Sequence, residues 1–130
     1  MRWLLAGLLL SSVAAAQEPR AVALPQVQAS RSYSSAMDAG DYIYISGQGP
    51  RRPDGSSPST FSAQVRQALD NVKAIVESAG MTMDHVVYTQ VYLQDIGQYG
   101  EMNKVFAEYF MKTPPALVPP PALRVPEESS

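Results

Sequence analysis

The 130-residue sequence contains no cysteine and only one histidine. Without cysteine, the chain can form no disulfide, no thiolate metal site and no cysteine nucleophile. The single histidine, His85, cannot build a histidine-based metal cluster, and nothing around it indicates a Ser-His-Asp triad. We interpret it as a surface histidine that opens a strand, and we predict neither a metal site nor a cofactor.

Clustered positive charge and long apolar runs are also scarce. The net charge is −2, and the lysines and arginines form no cluster, which argues against a nucleic-acid partner. The longest apolar run, Trp3–Leu10, has about half of the roughly 20 residues that a membrane-spanning helix needs. The sequence therefore predicts no membrane span.

The N-terminal residues have the layout of a secretory signal peptide. Arg2 gives a short positive start, Trp3–Leu10 follows as an apolar run, and three alanines end at Ala16, before Gln17. We predict cleavage near Ala16 and export of the mature chain to the periplasm or the medium, without membrane attachment. A buried N-terminal helix is the alternative interpretation.

The remaining chain has the length of one domain with a modest core. Residues 17–32 mix proline, glutamine, alanine and serine without periodicity, and we interpret them as a flexible lead-in. Residues 33–130 are the predicted domain, which ends in a proline-rich tail from about residue 113. Six prolines lie in the last 17 residues, so the tail is the part of the domain with the most biased composition.

A hairpin is predicted at the start of the domain. Tyr33–Met37 can form a short strand, and the Asp and Gly residues that follow are typical of a turn. In "DYIYISG", Ile43 and Ile45 alternate with Tyr42 and Tyr44, which indicates a half-buried strand.

Two amphipathic helices and one further strand follow. Apolar residues recur at steps of three and four from Phe61 to Ala79, where Ser59 or Thr60 can cap the start and Gly80 can end the helix. Apolar residues from Met102 to Phe110 predict a second helix. Between the helices, "HVVYTQVYLQD" predicts a strand with Val87, Thr89, Val91 and Leu93 on one face and Val86, Tyr88, Gln90 and Tyr92 on the other.

This order of elements predicts an α+β fold. A strand–helix–strand step implies a parallel pair with a right-handed crossover, so the two helices should cover one face of a mixed sheet. The other face carries tyrosine and valine side chains, and we expect it to contact another subunit.

No single motif identifies a chemistry. "SGQG" lacks the spacing of a phosphate-binding fingerprint. Asp54 and Gly55 are typical of a turn, and Asp84 and Asp95 of strand ends or caps. The tyrosines at 42, 44, 88 and 92 could stack on bases, but no lysine or arginine accompanies them.

Four segments together resemble the RidA family, also called YjgF-type proteins. They are "YIYISGQGP", "QVRQALDNVKAIVESAG", "VVYTQVYLQDIGQYGEMNKVFAEYF" and "PPAL…LRVP", and the resemblance runs from about Tyr33 to Pro126. It implies a chorismate-mutase-like fold with a mixed sheet backed by two helices. It also implies a homotrimer that binds a small-molecule ligand in clefts between subunits. The best-known family activity is hydrolysis of enamines and imines to keto acids and ammonia, while some members carry labels as ribonucleases or translation inhibitors.

The resemblance assigns ligand-binding positions residue by residue. Tyr33 falls on the family's cleft tyrosine, Ser46 and Gly47 on a serine–glycine pair that lines the pocket, and Asn103 on an asparagine that faces the site. Each has a structural alternative: Tyr33 as a core residue, Gly47 as a bulge, and Asn103 as a helix–helix hydrogen bond.

The C-terminal segment departs from the family pattern. In the deaminases, "Pro-Ala-Arg-Ser" supplies an arginine that binds the substrate carboxylate, but here Leu117 follows Pro115-Ala116. Arg124 aligns with a later arginine whose role is structural. Two charge-assisted hydrogen bonds of roughly 1.5–3 kcal/mol each are therefore missing, which weakens imino-acid binding about a hundredfold or more.

Two further departures concern the end of the sheet. Pro119–Pro121 fall on a family strand, although proline cannot donate to a ladder. The sequence stops at Ser130, before the family's last strand, which carries a glutamate that positions water. We expect either a divergent, non-deaminating member or a chain that is cut short at the gene level. We therefore expect an uncharged or apolar ligand and doubt standard imine deamination, so the catalytic residues are unknown. A weakly active deaminase and a ribonuclease-type or interaction module are the alternatives.

Overall fold

The computed structural model describes residues 17–24 and 32–118. The predicted signal peptide, residues 25–31 of the lead-in, Arg124 and the expected position of the last strand lie outside the described residues. In the two described ranges, no helix combines the length and the apolar character that a membrane crossing requires.

The first sheet has three short antiparallel strands. They are β1 (Arg20–Ala21), β2 (Ala36–Asp38) and β3 (Ile43–Ile45), in that order across the sheet. Asp38 accepts a hydrogen bond from the amide of Gly40, whose φ of 93° is in the region that favours glycine. The predicted hairpin is therefore confirmed, with shorter strands. Strand β1 lies within the predicted lead-in, where no periodicity indicated it.

Both predicted helices are present. Helix α1 (Phe61–Ser78) begins at Thr60, whose hydroxyl accepts a hydrogen bond from Ala63, and is followed by Gly80 with a φ of 78°. Helix α2 (Tyr99–Tyr109) follows a 3₁₀ turn at Ile96–Gln98. The Asp95 carboxylate caps that turn through the amide of Gly97 at 2.8 Å.

The second sheet is a parallel pair. Strand β4 (Tyr88–Gln90) pairs with β5 (Ala116–Val118), with Thr89 opposite Leu117, and α2 connects them. β5 lies inside the segment that the sequence assigns to the proline-rich tail. The parallel pair is thus formed by β4 and β5, not by β3 and β4 as the order of elements suggested. The crossover rule fixes strand direction but not which strands become neighbours.

The alternation predicted around β4 holds from Tyr88 onward. Tyr88, Gln90 and Tyr92 are exposed, whereas Thr89, Val91 and Leu93 are half-buried. Val87 was predicted to share a face with Thr89 and Val91, which are half-buried, but it is 63% exposed, and Val86 packs against the core instead. The reason is a 3₁₀ turn at Met83–His85, which resets the strand period. His85 lies in this turn and is exposed, so it does not open the strand.

The two helices run parallel to each other. Near their first turns, Ser62 of α1 donates to Glu101 of α2. Further along, Arg66 forms a bidentate pair with Glu108 at 2.7 and 2.8 Å, and Tyr109 donates to Asp70 at 2.7 Å. The contacts follow the same order from the N-terminal to the C-terminal end of both helices, which shows that the helices are parallel. Beneath these contacts lies the apolar core, which Ile45 of β3 joins. Its buried members are Leu69, Val76, Met83, Val105 and Phe110.

The fold class is confirmed as α+β with two helices. Within the described residues, antiparallel and parallel strand pairs are divided between two small sheets.

Candidate functional site

The segment after β3 is fixed by the side chain of Ser46. Its amide donates to the carbonyl of Ser35 at 2.9 Å, and its hydroxyl donates to the carbonyl of Ser34 at 2.5 Å. Gln48 in turn donates to the carbonyl of Ser46 at 2.9 Å. Because Ser34 directly follows Tyr33, the Ser46 hydroxyl ties two of the candidate site residues to one place.

Tyr33 and Gly47 are both open at this place. Tyr33 is 67% exposed, so it is not a core residue. A Cβ on Gly47 would meet nothing within 4 Å, and the positive φ angles in the described residues belong to three other glycines. The backbone of Gly47 makes no hydrogen bond with another described residue. Gly47 therefore leaves free space and unpaired backbone groups that a ligand could use.

The loop that follows is held by a residue that the sequence did not indicate. The side-chain amide of Asn71 on α1 donates to the carbonyls of Gly49 and Arg51, both at 2.9 Å, and its oxygen accepts from Gln67 at 3.0 Å. A single amide thus pins the loop after Gly47 to the helix layer. Its sequence signals were its place on the polar side of an amphipathic helix and its position in the helix segment that resembles the family.

Leu117 is half-buried in the middle of β5. Its partner across the ladder is Thr89, whose hydroxyl is 3.4 Å from the carbonyl of Ala116. Strands β3, β4 and β5 carry no lysine or arginine. These described strands therefore offer no cation that could bind a carboxylate.

Asn103 lies half-buried on α2, next to the buried Met102. Its side chain makes no hydrogen bond with another described residue, so the helix–helix hydrogen bond considered from the sequence is not formed. No hydrogen bond or ion pair between described residues links Asn103 or Leu117 with Ser46. A single chain therefore brings Tyr33, Ser46 and Gly47 together but does not connect them with Asn103 or Leu117.

Two open depressions in the described surface lie elsewhere. One, of about 300 Å³, lies beside β1 and includes Arg20 and Asp38. The other, of about 580 Å³, lies beside the helices and includes Asp70 and Tyr109. None of the five candidate residues lines either depression, so neither is the predicted ligand site.

Two side chains have shifted acidities. Partial burial and the hydrogen bond to Asp70 raise the pKa of Tyr109 to about 12. Hydrogen bonds from Ser56 lower the pKa of Asp54 in the loop before α1. Both interactions are structural. In residues 17–24 and 32–118, no group of three or more histidine, aspartate or glutamate side chains could hold a metal ion.

Comparisons with known proteins cover nearly the whole domain. A family model described as Endoribonuclease L-PSP matches residues 24–127. A RutC family protein of Pyrococcus horikoshii is 39% identical over 98 residues, which cover 74% of this chain and 78% of the relative. The 2-iminobutanoate/2-iminopropanoate deaminase of Escherichia coli is 40% identical over 79 residues, which cover 60% of this chain and 62% of the relative.

A solved structure with a similar fold is also related to the chain in sequence. The crystal structure of the YjgF gene product of E. coli superposes with a TM-score of 0.73 at 34% identity, covering 84% of this chain and 90% of that one. Its similarity to the chain therefore extends from sequence to architecture.

Proposed function

Because the chain belongs to the RidA/YjgF family, we propose that it is an exported member that binds small uncharged metabolites in clefts between copies of the chain. The observation that carries this proposal is Leu117. It occupies the centre of β5, where the family resemblance expects the carboxylate-binding arginine, and its strand partner is Thr89. Leu117 offers apolar contact and no charge, so it favours a ligand without a carboxylate.

The other candidate residues supply polar contacts that suit such a ligand. The free amide of Gly47 can donate a hydrogen bond, and the unpaired side chain of Asn103 can both donate and accept. Tyr33 provides an exposed aromatic ring. One ring, two polar groups and one apolar side chain can orient a small neutral molecule.

A second copy of the chain is needed to complete this site. In one chain the Ser46 segment has no bonded connection to Leu117 or Asn103. Tyr44 of β3 and Tyr88 of β4 are 64% and 57% exposed. Their exposure supports contact with another copy, as in the homotrimer that the family resemblance implies.

Hydrolysis of an imino acid tests the proposal. The imino acid is generated in solution by an amino-acid oxidase, and its hydrolysis is followed with and without the chain that starts at Gln17. We expect the wild-type rate to stay close to the protein-free rate. Leu117→Arg should bind the keto-acid product about a hundredfold more tightly than the wild type, because a guanidinium restores two hydrogen bonds to the carboxylate.

Ala116→Arg is the matched control, since it adds the same charge one residue earlier, on the opposite face of β5. It should leave keto-acid binding unchanged. A wild-type chain that already accelerates hydrolysis would show that this member is a deaminase despite Leu117. A folded Leu117→Arg variant without tighter keto-acid binding would contradict the assigned register.

A further inference from the structure

The loop between β3 and α1 contains the one Asp–Gly pair of the sequence, Asp54–Gly55, and the sequence has no Asn–Gly pair. Glycine has no side chain beside its nitrogen, so it is the residue that least hinders attack of this nitrogen on the preceding side chain. Asp54 and Gly55 are both exposed. The pair is therefore the place in the described chain where aspartate chemistry of this kind is sterically easiest.

The chemistry is an isomerisation that needs water but no other reactant. The nitrogen of Gly55 bonds to Cγ of Asp54, and the carboxyl hydroxyl leaves with the amide proton as one water, which gives a cyclic imide. Because the two groups belong to neighbouring residues, this step is intramolecular. Hydrolysis adds the water back to one of the two imide carbonyls. Opening at one carbonyl restores aspartate, and opening at the other gives isoaspartate, in which the main chain runs through Cγ.

The folded loop holds the attacking nitrogen in a turn. Gly55 donates its N–H to the carbonyl of Arg52 at 2.9 Å, and the amide of Arg52 donates to the carbonyl of Ser56 at 2.8 Å. Gly55 has a φ of 86°, the left-handed conformation that glycine adopts at the end of such a turn. The nitrogen of an imide carries no proton, so closure of the imide ring would remove the hydrogen bond to Arg52.

The carboxylate of Asp54 is held by Ser56. Its Oδ1 atom accepts from the amide of Ser56 at 2.9 Å and from the hydroxyl of Ser56 at 2.7 Å. That hydroxyl in turn accepts from the guanidinium of Arg52 at 3.3 Å. The hydrogen bond from the Ser56 side chain, followed by the one from its backbone, lowers the pKa of Asp54. The group therefore stays ionised, and a carboxylate is attacked by a nucleophile much less readily than the neutral acid.

We infer that Asp54–Gly55 is a latent isomerisation site, which the contacts of Arg52 and Ser56 keep unreactive while the loop is folded. Opening of the turn frees the nitrogen and the carboxyl group together, and isoaspartate then forms. The extra main-chain atom changes the path between the hydrogen-bonded residues Arg52 and Ser56. The modification thus converts a reversible opening of the turn into a permanent change of the loop.

The loop is anchored on both sides of this pair. The side chain of Asn71 holds the carbonyl of Arg51 at 2.9 Å, and the side chain of Gln64 holds the carbonyl of the buried Pro58 at 2.9 Å. Because both anchors belong to α1, the extra atom has to be accommodated between them. We therefore expect the effect of isoaspartate to be concentrated in residues 52–57.

Ageing of the whole chain is the first test. The folded chain and the chain unfolded in guanidinium chloride are kept at the same mildly acidic pH, at which circular dichroism confirms the native state of the first sample. Isoaspartate is measured by methyl labelling with an isoaspartyl methyltransferase and is located by fragment mass spectrometry. We expect it to form at residue 54 at least about tenfold more slowly in the folded chain, since the hydrogen bonds of Asp54 and Gly55 must break before attack.

Ser56→Ala tests which contact protects the site. In the folded chain it should speed isomerisation by about threefold to tenfold, because the hydroxyl that holds the Asp54 carboxylate is missing. Ser57→Ala is the matched control, since Ser57 is exposed and makes no hydrogen bond with another described residue. It should keep the wild-type rate. In guanidinium chloride all three chains should react at the same rate, which separates the lost contact from a change in intrinsic reactivity.

Three results would overturn the inference. Equal rates in the folded and the unfolded wild type would show that the folded loop does not protect the pair. An unfolded chain without isoaspartate at residue 54 would show that the pair is not reactive at all. A folded Ser56→Ala variant that ages no faster than Ser57→Ala would remove Ser56 from the protecting contacts.

Discussion

Gly80 and Gly49 show that glycine has different roles at different positions in this chain. Gly80 has a φ of 78°, whereas Gly49 is not among the glycines with positive φ, and a Cβ on either would meet nothing within 4 Å. Substitution by alanine therefore separates backbone strain from steric conflict. Of these two positions, only Gly80 has a backbone conformation that would be strained with alanine.

Gly80→Ala should lower the free energy of unfolding by about 1 kcal/mol, because alanine disfavours the left-handed conformation that ends α1. Gly49→Ala should have little effect. Urea denaturation of both variants measures the difference. Equal destabilisation by the two substitutions would mean that the conformation of Gly80 is not what limits its replacement.

The contact of Asn71 with the loop after Gly47 could not be predicted from the sequence. Its amide donates to two carbonyls of the loop after Gly47, at 2.9 Å each. Asn71→Asp keeps the shape but removes both donors and places a negative charge beside two carbonyl oxygens. We expect faster trypsin cleavage after Arg51 and a loss of stability of about 1–3 kcal/mol.

Gln67→Glu is a suitable comparison, since Gln67 contacts Asn71 but not the loop. It should change the cleavage after Arg51 much less. If both variants are cut at the wild-type rate, the Asn71 side chain does not hold the loop.

The hydrogen bond between Tyr109 of α2 and Asp70 of α1 makes the free energy of unfolding depend on pH in the alkaline range. The pKa of Tyr109 is raised from 10.0 to about 12, chiefly by burial and then by its hydrogen bond to Asp70. The folded state therefore holds this proton more tightly than the unfolded chain does. The contribution of Tyr109 to stability is complete below pH 10 and is lost as the pH rises to about 12.

Tyr109→Phe provides the measurement for this contact. Below pH 10 the variant should be less stable by roughly 0.5–1.5 kcal/mol, because the hydrogen bond to Asp70 is missing. The difference should shrink as the pH rises toward 12, and the other tyrosines cancel in the comparison. A difference that stays constant over this range would contradict the assignment of the raised pKa to Tyr109.

At the scale of elements, local patterns were the most predictable. Apolar spacing and the Thr60 cap predicted α1, and alternating residues predicted β3. The partner of β4 could not be predicted in this way, because pairing depends on contacts between distant segments. The exposure of Val87 also escaped prediction, because a 3₁₀ turn at Met83–His85 precedes this residue and the regular strand begins only at Tyr88.

The candidate site was predictable only in part. The resemblance assigned Tyr33, Ser46, Gly47, Asn103 and Leu117 to one ligand site. The Ser46 hydrogen bond to Ser34 holds the first three in one region. No hydrogen bond between described residues connects Asn103 or Leu117 with that region, so their place in one site stays a prediction. Leu117 itself was visible from the sequence as a departure from the family motif.

For the whole molecule, we predict a trimer of the chain that starts at Gln17. Multi-angle light scattering after gel filtration should give three times the chain mass. Tyr44→Glu should shift the protein to the monomer by adding charge to the exposed face of β3, whereas Lys104→Glu, on the exposed side of α2, should leave the trimer intact. A wild-type monomer would contradict the shared cleft, and with it the proposed ligand site.

The parallel arrangement of the two helices also bears on the order in which the chain folds. The ties between α1 and α2 join residues that are 39 to 43 positions apart, whereas the β2–β3 hairpin closes over a turn between Asp38 and Ile43. Closing a longer loop costs more chain entropy before any contact offsets it. The hairpin can therefore form early, while the helix layer and β5, which follows α2, are completed late. Substitutions at Arg66 or Glu108 should then accelerate unfolding more than they slow folding.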